Sequence, residues 1–189
     1  MTDREKFAKG VVVICDTREQ KNSHIISALD KLGIKHKTQK LDYGDYSFTF
    51  SNRICSLDFR QTCVVERKAN VDEVYSNIID DRKRIEKEMQ AISCLARQCT
   101  FIIENCSDWE ELKNYKLSDF VMLASDTRKK QDIGLPCYET LDTWRRGNRY
   151  NFDVEFVKDK RNTATAMLSS FYRYWHNYRE LTKRRDRLN

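Results

Sequence analysis

Apolar positions along this chain group into short continuous runs and helix-spaced stripes that alternate, and the alternation predicts an α/β fold. The run Val11–Cys15 is all apolar and of strand length, as expected of a strand covered on both faces, so Asp16 falls at that strand's C-terminal end. Ile25, Ala28, Leu29 and Leu32 recur at helical spacing after Asn22-Ser23, either of which can cap, and Gly33 is placed to end the helix. Residues 34–41 then read as a strand, 46–50 and 54–57 as a hairpin around Ser51-Asn52-Arg53, and 62–68 as a further strand. The strongest amphipathic pattern follows, with Val74, Ile78, Ile85, Met89, Ile92 and Leu95 on one face of a single helix and Asp72 at its start as N-cap. A buried strand over 100–103 ends at Glu104-Asn105. Residues 117–130 and 138–149 read as helices separated by Gly134-Leu135-Pro136, and 152–157 as a strand. The last helix carries Ala164, Leu168, Phe171, Trp175 and Tyr178 on one face, which either lies on the chain's own sheet or forms part of a dimer interface.

With 189 residues, 40% hydrophobic, the chain has material for one core, so a single domain over 1–189 is expected, its core spanning roughly 10–175 and a basic helical tail roughly 176–189. No apolar run approaches the roughly 20 residues needed to span a bilayer, and the N-terminus lacks the apolar core of a secretion signal. The expectation is a protein that is not secreted and has no membrane partner, cytoplasmic or, in a eukaryote, nuclear. The 7 cysteines include no Cys-x-x-Cys pair and lie far from the 3 histidines, which argues for reduced thiols over zinc. The net charge of +6 favours a polyanionic partner. Basic residues crowd the C-terminus (Arg179, Lys183, Arg184, Arg185, Arg187), where a nucleic-acid contact and a favourable helix-dipole interaction explain them equally well. Trp144-Arg145-Arg146-Gly147-Asn148-Arg149-Tyr150 interleaves cations with aromatics, a composition suited to phosphates and stacked bases.

Candidate chemistry centres on Glu66-Arg67-Lys68. In a strand, Glu66 and Lys68 share one face and Arg67 takes the other, so a carboxylate and an ammonium enter one pocket. Gly44-Asp45 stands where the backbone must bend, and Asp45 can meet Glu66 across neighbouring strands. Two carboxylate ligands suit a hard cation such as Mg²⁺ or Mn²⁺, and an adjacent lysine can orient or deprotonate water for attack on phosphorus.

Gly44-Asp45 followed by Glu66-Arg67-Lys68-Ala69-Asn70-Val71-Asp72 resembles the signature of the XPF-type structure-selective endonucleases, a branch of the PD-(D/E)XK nucleases. Cys15-Asp16-Thr17-Arg18-Glu19 resembles that family's Asp-x-Arg-Glu, and the segment from Ser76 to Arg82 its helical Ser-Ile-x-Asp-x-Arg. The resemblance implies a restriction-endonuclease-like mixed central sheet flanked by helices on both faces. It also implies a metal-dependent DNA endonuclease selective for branched or flap DNA or for single-strand/double-strand junctions, acting in repair, recombination or replication, with a homodimeric or heterodimeric assembly. In this reading Asp45 and Glu66 hold the metal, and Asp16 completes the shell or binds a second ion. Arg67 supplies its carbonyl, and Lys68, its pKa lowered beside a cation, positions the water. Asp72 joins the catalytic set, while Arg18 and Arg82 bind phosphates, with Arg145, Arg146 and Arg149 as further DNA contacts; Arg18 alternatively pairs with Glu19 or Asp72 and stiffens the pocket. The glycine turns of the family's helix-hairpin-helix elements are missing after Arg161, so a stand-alone nuclease domain is expected. Two alternatives stay open: a non-catalytic DNA-binding or scaffolding subunit, and a Holliday-junction resolvase-like nuclease.

Overall fold

The computed structural model describes residues 1–117 and 132–188. Helix α1 (Asp3–Gly10), closed at its start by a reciprocal Thr2/Glu5 capping box, leads into β1 (Val11–Cys15), and α2 (Ser23–Lys31) ends ahead of Gly33 as expected. Strand β2 (Lys35–Thr38) is shorter than the expected 34–41, because the Leu41 N–H is taken by the Asp16 carboxylate instead of a neighbouring strand. Strands β3 (Tyr46–Ser51) and β4 (Ser56–Asp58) make the expected hairpin with Phe50 opposite Leu57; Ile54 belongs to the turn and is 93% exposed. Strands β5 (Cys63–Lys68), β6 (Gln98–Glu104) and β7 (Asp153–Val157) complete a seven-stranded mixed sheet of order β2-β1-β3-β5-β6-β7, with β4 paired to β3. Strand β3 runs antiparallel to both β1 and β5, so its first residue sits on the sheet edge where β1, β5 and β6 end.

Helices cover both faces. On one, α1, α2 and α7 (Thr163–Leu188) pack Phe7, Ile25, Leu29, Met167, Phe171 and Trp175 against Val11, Val13, Phe48, Val65 and Ile102. The apolar stripe of α7 therefore lies on the chain's own sheet, and the basic residues of the expected tail continue this helix without a break. On the other face, α3 (Val71–Tyr75), α4 (Arg82–Leu95), α5 (Trp109–Lys113) and α6 (Gly134–Arg146) enclose Val64, Cys99, Phe101 and Ile103. No helix among the described residues is long and apolar enough to cross a membrane.

Three expectations need correction. The single helix from Asp72 is two helices joined by a π-helical turn, Ser76–Asp80, and broken at Asp81, whose φ of −116° is not helical. Its N-cap is Asn70, whose side chain accepts from the Glu73 N–H; Asp72 sits inside the first turn, and Leu95 lies at the far end, 61% exposed. Gly134-Leu135-Pro136 is not a spacer but the first turn of α6, where a proline costs no helical hydrogen bond. Gly134 there lies so close to α5 that a Cβ would come within 2.1 Å of the Leu112 carbonyl. Most of the helix expected over 117–130 lies outside the described residues.

Candidate active site

The chain enters β3 through Gly44, at φ +74°, pressed against β5 so that an added Cβ would lie 3.1 Å from the Val64 Cβ. That close approach fixes Asp45 next to the motif strand: its N–H donates to the Val65 carbonyl at 2.9 Å, and its Oδ2 accepts from the Arg67 N–H at 2.7 Å. Alternation along β5 puts Glu66 and Lys68 on the α4 side, as Val64 shows, and Arg67 on the α7 side. Glu66 and Lys68 are 3% and 4% exposed; Lys68 Nζ donates to Glu66 Oε1 at 2.7 Å and to Asn77 Oδ1 at 3.0 Å. Glu66 Oε2 is buried with no partner. These groups open into a cleft of about 890 Å³, whose lining also includes Glu19, Glu73, Arg84, Lys87 and Glu88.

The cleft lining balances six carboxylates with six basic side chains, but Asp45 and Glu88 both feel the charge of Glu66. Loss of hydration, then repulsion from Glu66, raises the Asp45 carboxyl well above the usual range, although part of Asp45 still faces the cleft. Burial and Glu66 likewise raise Glu88. Burial disfavours the Lys68 ammonium, but Glu66 and Asp45 outweigh it and its pKa rises. The sequence reading gave Lys68 a lowered pKa; the protein's own groups move it the other way.

Asp16 also stands at this edge, but it is committed. It is 1% exposed, Oδ1 accepts from the Arg18 N–H (2.9 Å) and Nε (2.6 Å), and Oδ2 accepts from the Leu41 N–H (2.5 Å). Burial alone would raise its pKa; the Arg18 guanidinium and the Leu41 N–H more than offset that, and the carboxyl ends below the usual range. Its side chain does not line the cleft, while Arg18 does, and Arg18 pairs with Asp16 rather than with the expected Glu19 or Asp72.

Arg67 is buried on the opposite face. Its Nη2 donates to the Lys21 carbonyl at 3.0 Å, and its guanidinium lies 3.7 Å from Glu104, whose Oε1 also meets His24 (2.7 Å) and Thr163 (2.6 Å). This polar cluster ties the motif strand to α2 and α7. Asp72 turns away from the cleft, its Oδ2 accepting from the Tyr115 hydroxyl at 3.1 Å. Arg82 pairs with Glu86 and lies over the Trp144 ring, Arg149 also pairs with Glu86, and Arg146 pairs with Asp142, all outside the cleft. Arg145 stacks over Trp109. Trp144 and Tyr150, expected to meet bases, are core residues at 1% and 8% exposure.

The residues that sequence reading missed lie mainly on the broken helix. Asn77, placed by the π turn, accepts from Lys68 and from Arg84 Nη2 (3.0 Å) and donates its amide N–H to the Glu73 carbonyl (2.8 Å). Arg84 and Glu88 could have been found on a helical wheel. At about 100° per residue both flank Ile85 on one side of the apolar face, whereas Arg82 falls about 60° to the other.

Among the described residues no three His, Cys, Asp or Glu side chains form a ready-made metal cage. Magnesium does not demand one, since it keeps several waters and takes one or two carboxylates with substrate phosphate. The unpartnered, buried Glu66 Oε2 beside the Asp45 carboxyl fits such an ion.

In sequence, the ERCC4 domain matches residues 15–179. No curated protein matches the chain. Among solved structures, XPF from Aeropyrum pernix aligns with a TM-score of 0.60 at 15% identity, over 91% of this chain and 69% of that one. A second structure of XPF from Aeropyrum pernix, in complex with DNA, aligns with a TM-score of 0.57 at 17% identity, over 88% of this chain and 65% of that one. At these identities the likeness speaks for the fold, and it agrees with the restriction-endonuclease-like mixed sheet expected from the motifs. Because the sequence match runs through every strand and helix that lines the cleft, the chain belongs to the ERCC4 domain family.

Proposed function

We propose that this chain is a metal-dependent DNA endonuclease that cuts branched or flap DNA, with Asp45 and Glu66 holding Mg²⁺ or Mn²⁺ and Lys68 orienting the attacking water. The observation that carries this reading is the convergence of Asp45, Glu66 and Lys68 in one cleft with a buried carboxylate oxygen left unpartnered. Family membership and the DNA complex of XPF from Aeropyrum pernix support DNA as the substrate class. A bound divalent cation would supply Lewis-acid charge against the scissile phosphate. The chain's own residues do the rest. Lys68, held between Glu66 and Asn77, stays an ammonium and offers its remaining N–H to the water and to the charge that builds on the phosphate oxygens. Arg84 and Lys87 on α4, with Arg18 and Lys21 across the mouth, are placed to take neighbouring phosphates. Asp16 belongs to the scaffold of this site, through Arg18 and Leu41.

The test is cutting of end-labelled flap, splayed-arm, four-way-junction and linear duplex DNA by the wild type and by Glu66→Ala, in Mg²⁺, Mn²⁺ and chelator. Metal-dependent cutting near the branch that disappears in Glu66→Ala is expected. Cutting that survives the substitution, or DNA binding without cutting in either metal, would instead favour another site or a scaffolding role.

A further inference from the structure

Among the described residues, one half of one sheet face carries no helix. The helices on the α4 side gather over β5 to β7, and their apolar partners in the sheet all come from those strands. Over β2, β1, β3 and β4 the same face presents Lys35, Lys37, Val12, Thr49 and Asp58. Ile14 and Ser47, also on this face, are fully buried, so the open part is the end marked by Lys35, Val12, Thr49 and Asp58, with Lys37 at its border. Register places Lys35 opposite Val12, Val12 opposite Thr49, and Thr49 opposite Asp58, while Lys37 stands opposite Ile14. His36, between the two lysines, points the other way and meets Asp30 on α2 at 2.9 Å, which confirms that Lys35 and Lys37 face the open side. Both lysines are exposed, Val12 and Thr49 are half-exposed, and neither lysine has an ion pair within 4.0 Å among the described residues. The acid on this face is already engaged: Asp58 binds Arg60, which chiefly lowers its pKa, and Lys37 adds to that lowering from a distance. Next to it, Lys40 and Arg60, with Asp58, line a cleft that shares Asp42 with the candidate active site.

We infer that this open half-sheet is a seat for the phosphate backbone of the duplex arm that leads into the cleft. The inference rests on the endonuclease reading above and adds the path by which DNA arrives. Lys35 and Lys37 are two residues apart on one strand face, about 6.6 Å along the chain, a spacing that lets them contact successive phosphates of one DNA strand. An edge strand studded with lysine also resists pairing with another sheet edge, so the face stays available to a polyanion. Phosphate contacts of this kind fix orientation without reading sequence, which is what an enzyme that recognises DNA shape requires.

The test compares two double charge reversals with the same change in net charge: Lys35→Glu/Lys37→Glu on the open face and Lys183→Glu/Arg184→Glu on the exposed end of α7. Binding of a labelled splayed-arm DNA in chelator is measured against salt, with wild type alongside, and thermal unfolding reports that each variant is folded. The expected result is that the β2 variant binds about tenfold or more weakly, with the slope of log affinity against log salt reduced by about 2, while the α7 variant changes far less. In Mg²⁺ the same β2 variant should raise the KM for DNA and leave kcat near wild type. Equal losses in both variants, meaning a net-charge effect, or an unchanged slope in the β2 variant, would overturn the inference and leave the endonuclease reading standing. Wild type that binds no DNA at all would overturn both.

Discussion

Asp16 and the Asp45–Glu66 pair occupy the same sheet edge, and their carboxylates were equally plausible metal ligands by residue type. They differ in what already surrounds them. Every oxygen of Asp16 is taken by an N–H, and its pKa is depressed; Glu66 keeps a buried oxygen without a partner, and Asp45 is raised by burial and by its neighbour. One carboxylate has its hydrogen-bonding capacity filled; the other two are held in a costly state, which the proposed cation would relieve. The difference teaches that position at a strand end does not by itself distinguish a candidate ligand; unfilled hydrogen-bonding capacity does, and the proposed metal role of Asp45 and Glu66 rests on it.

The comparison breaks first, if it breaks, at Glu66. Glu66→Gln keeps the shape but removes the charge, and turnover on a cleavable DNA should fall by about 10³-fold or more, measured at saturating metal with unfolding followed in parallel. Asp16→Ala should act on the other axis. It strands the Leu41 N–H and frees Arg18, costing about 3 kcal/mol of stability in urea unfolding, while turnover per folded molecule stays within a few fold of wild type. Loss of turnover in a fully folded Asp16→Ala would place Asp16 with the ligands after all.

Asn77 sharpens the picture of Lys68. Asn77→Ala removes the acceptor shared by Lys68 and Arg84, so turnover should drop about tenfold with a smaller change in KM, and Asn77→Asp, which restores an acceptor, should recover part of the loss. A KM effect alone would mean that Asn77 serves Arg84 and DNA binding, not Lys68.

The smallest effects concern pH, and their signs are opposite. The folded pKa of Asp16 is depressed, so its contribution to stability is present above the unfolded value of about 3.9 and is lost as pH falls through the folded one. For Asp45 the folded pKa is raised, so the folded state binds the extra proton; stability is lost as pH rises from about 3.9 through the folded value. In chelator, Asp45→Asn should therefore flatten the decline toward neutral pH, and Asp16→Asn should flatten the acid limb, both read from urea unfolding across that range.

Much of this was legible in the sequence for physical reasons. The run Val11–Cys15 is apolar at every position and reads as a strand, although Val12 is half-exposed where the helices leave its face open, and the period of 2 in β5 separates Glu66 and Lys68 from Arg67 whatever the tertiary context. The convergence of Asp45 on Glu66 followed from Gly44. What was not legible depended on partners distant in sequence. Leu41 saturates Asp16 from 25 residues away, and Trp144 and Tyr150 pack into the second core although their neighbours are basic. The π turn leaves no mark in the hydrophobic period, so one long helix was the natural reading of Val74, Ile78, Ile85 and Met89, and Arg82 was taken for the cleft in place of Arg84.

The most direct test is calorimetric titration of Mn²⁺ into wild type, Asp16→Asn and Asp45→Asn, without DNA. Wild type and Asp16→Asn should bind with the same affinity, and Asp45→Asn should show no binding in that range. Binding lost in folded Asp16→Asn and kept in Asp45→Asn would contradict the assignment of the metal to the Asp45–Glu66 pair.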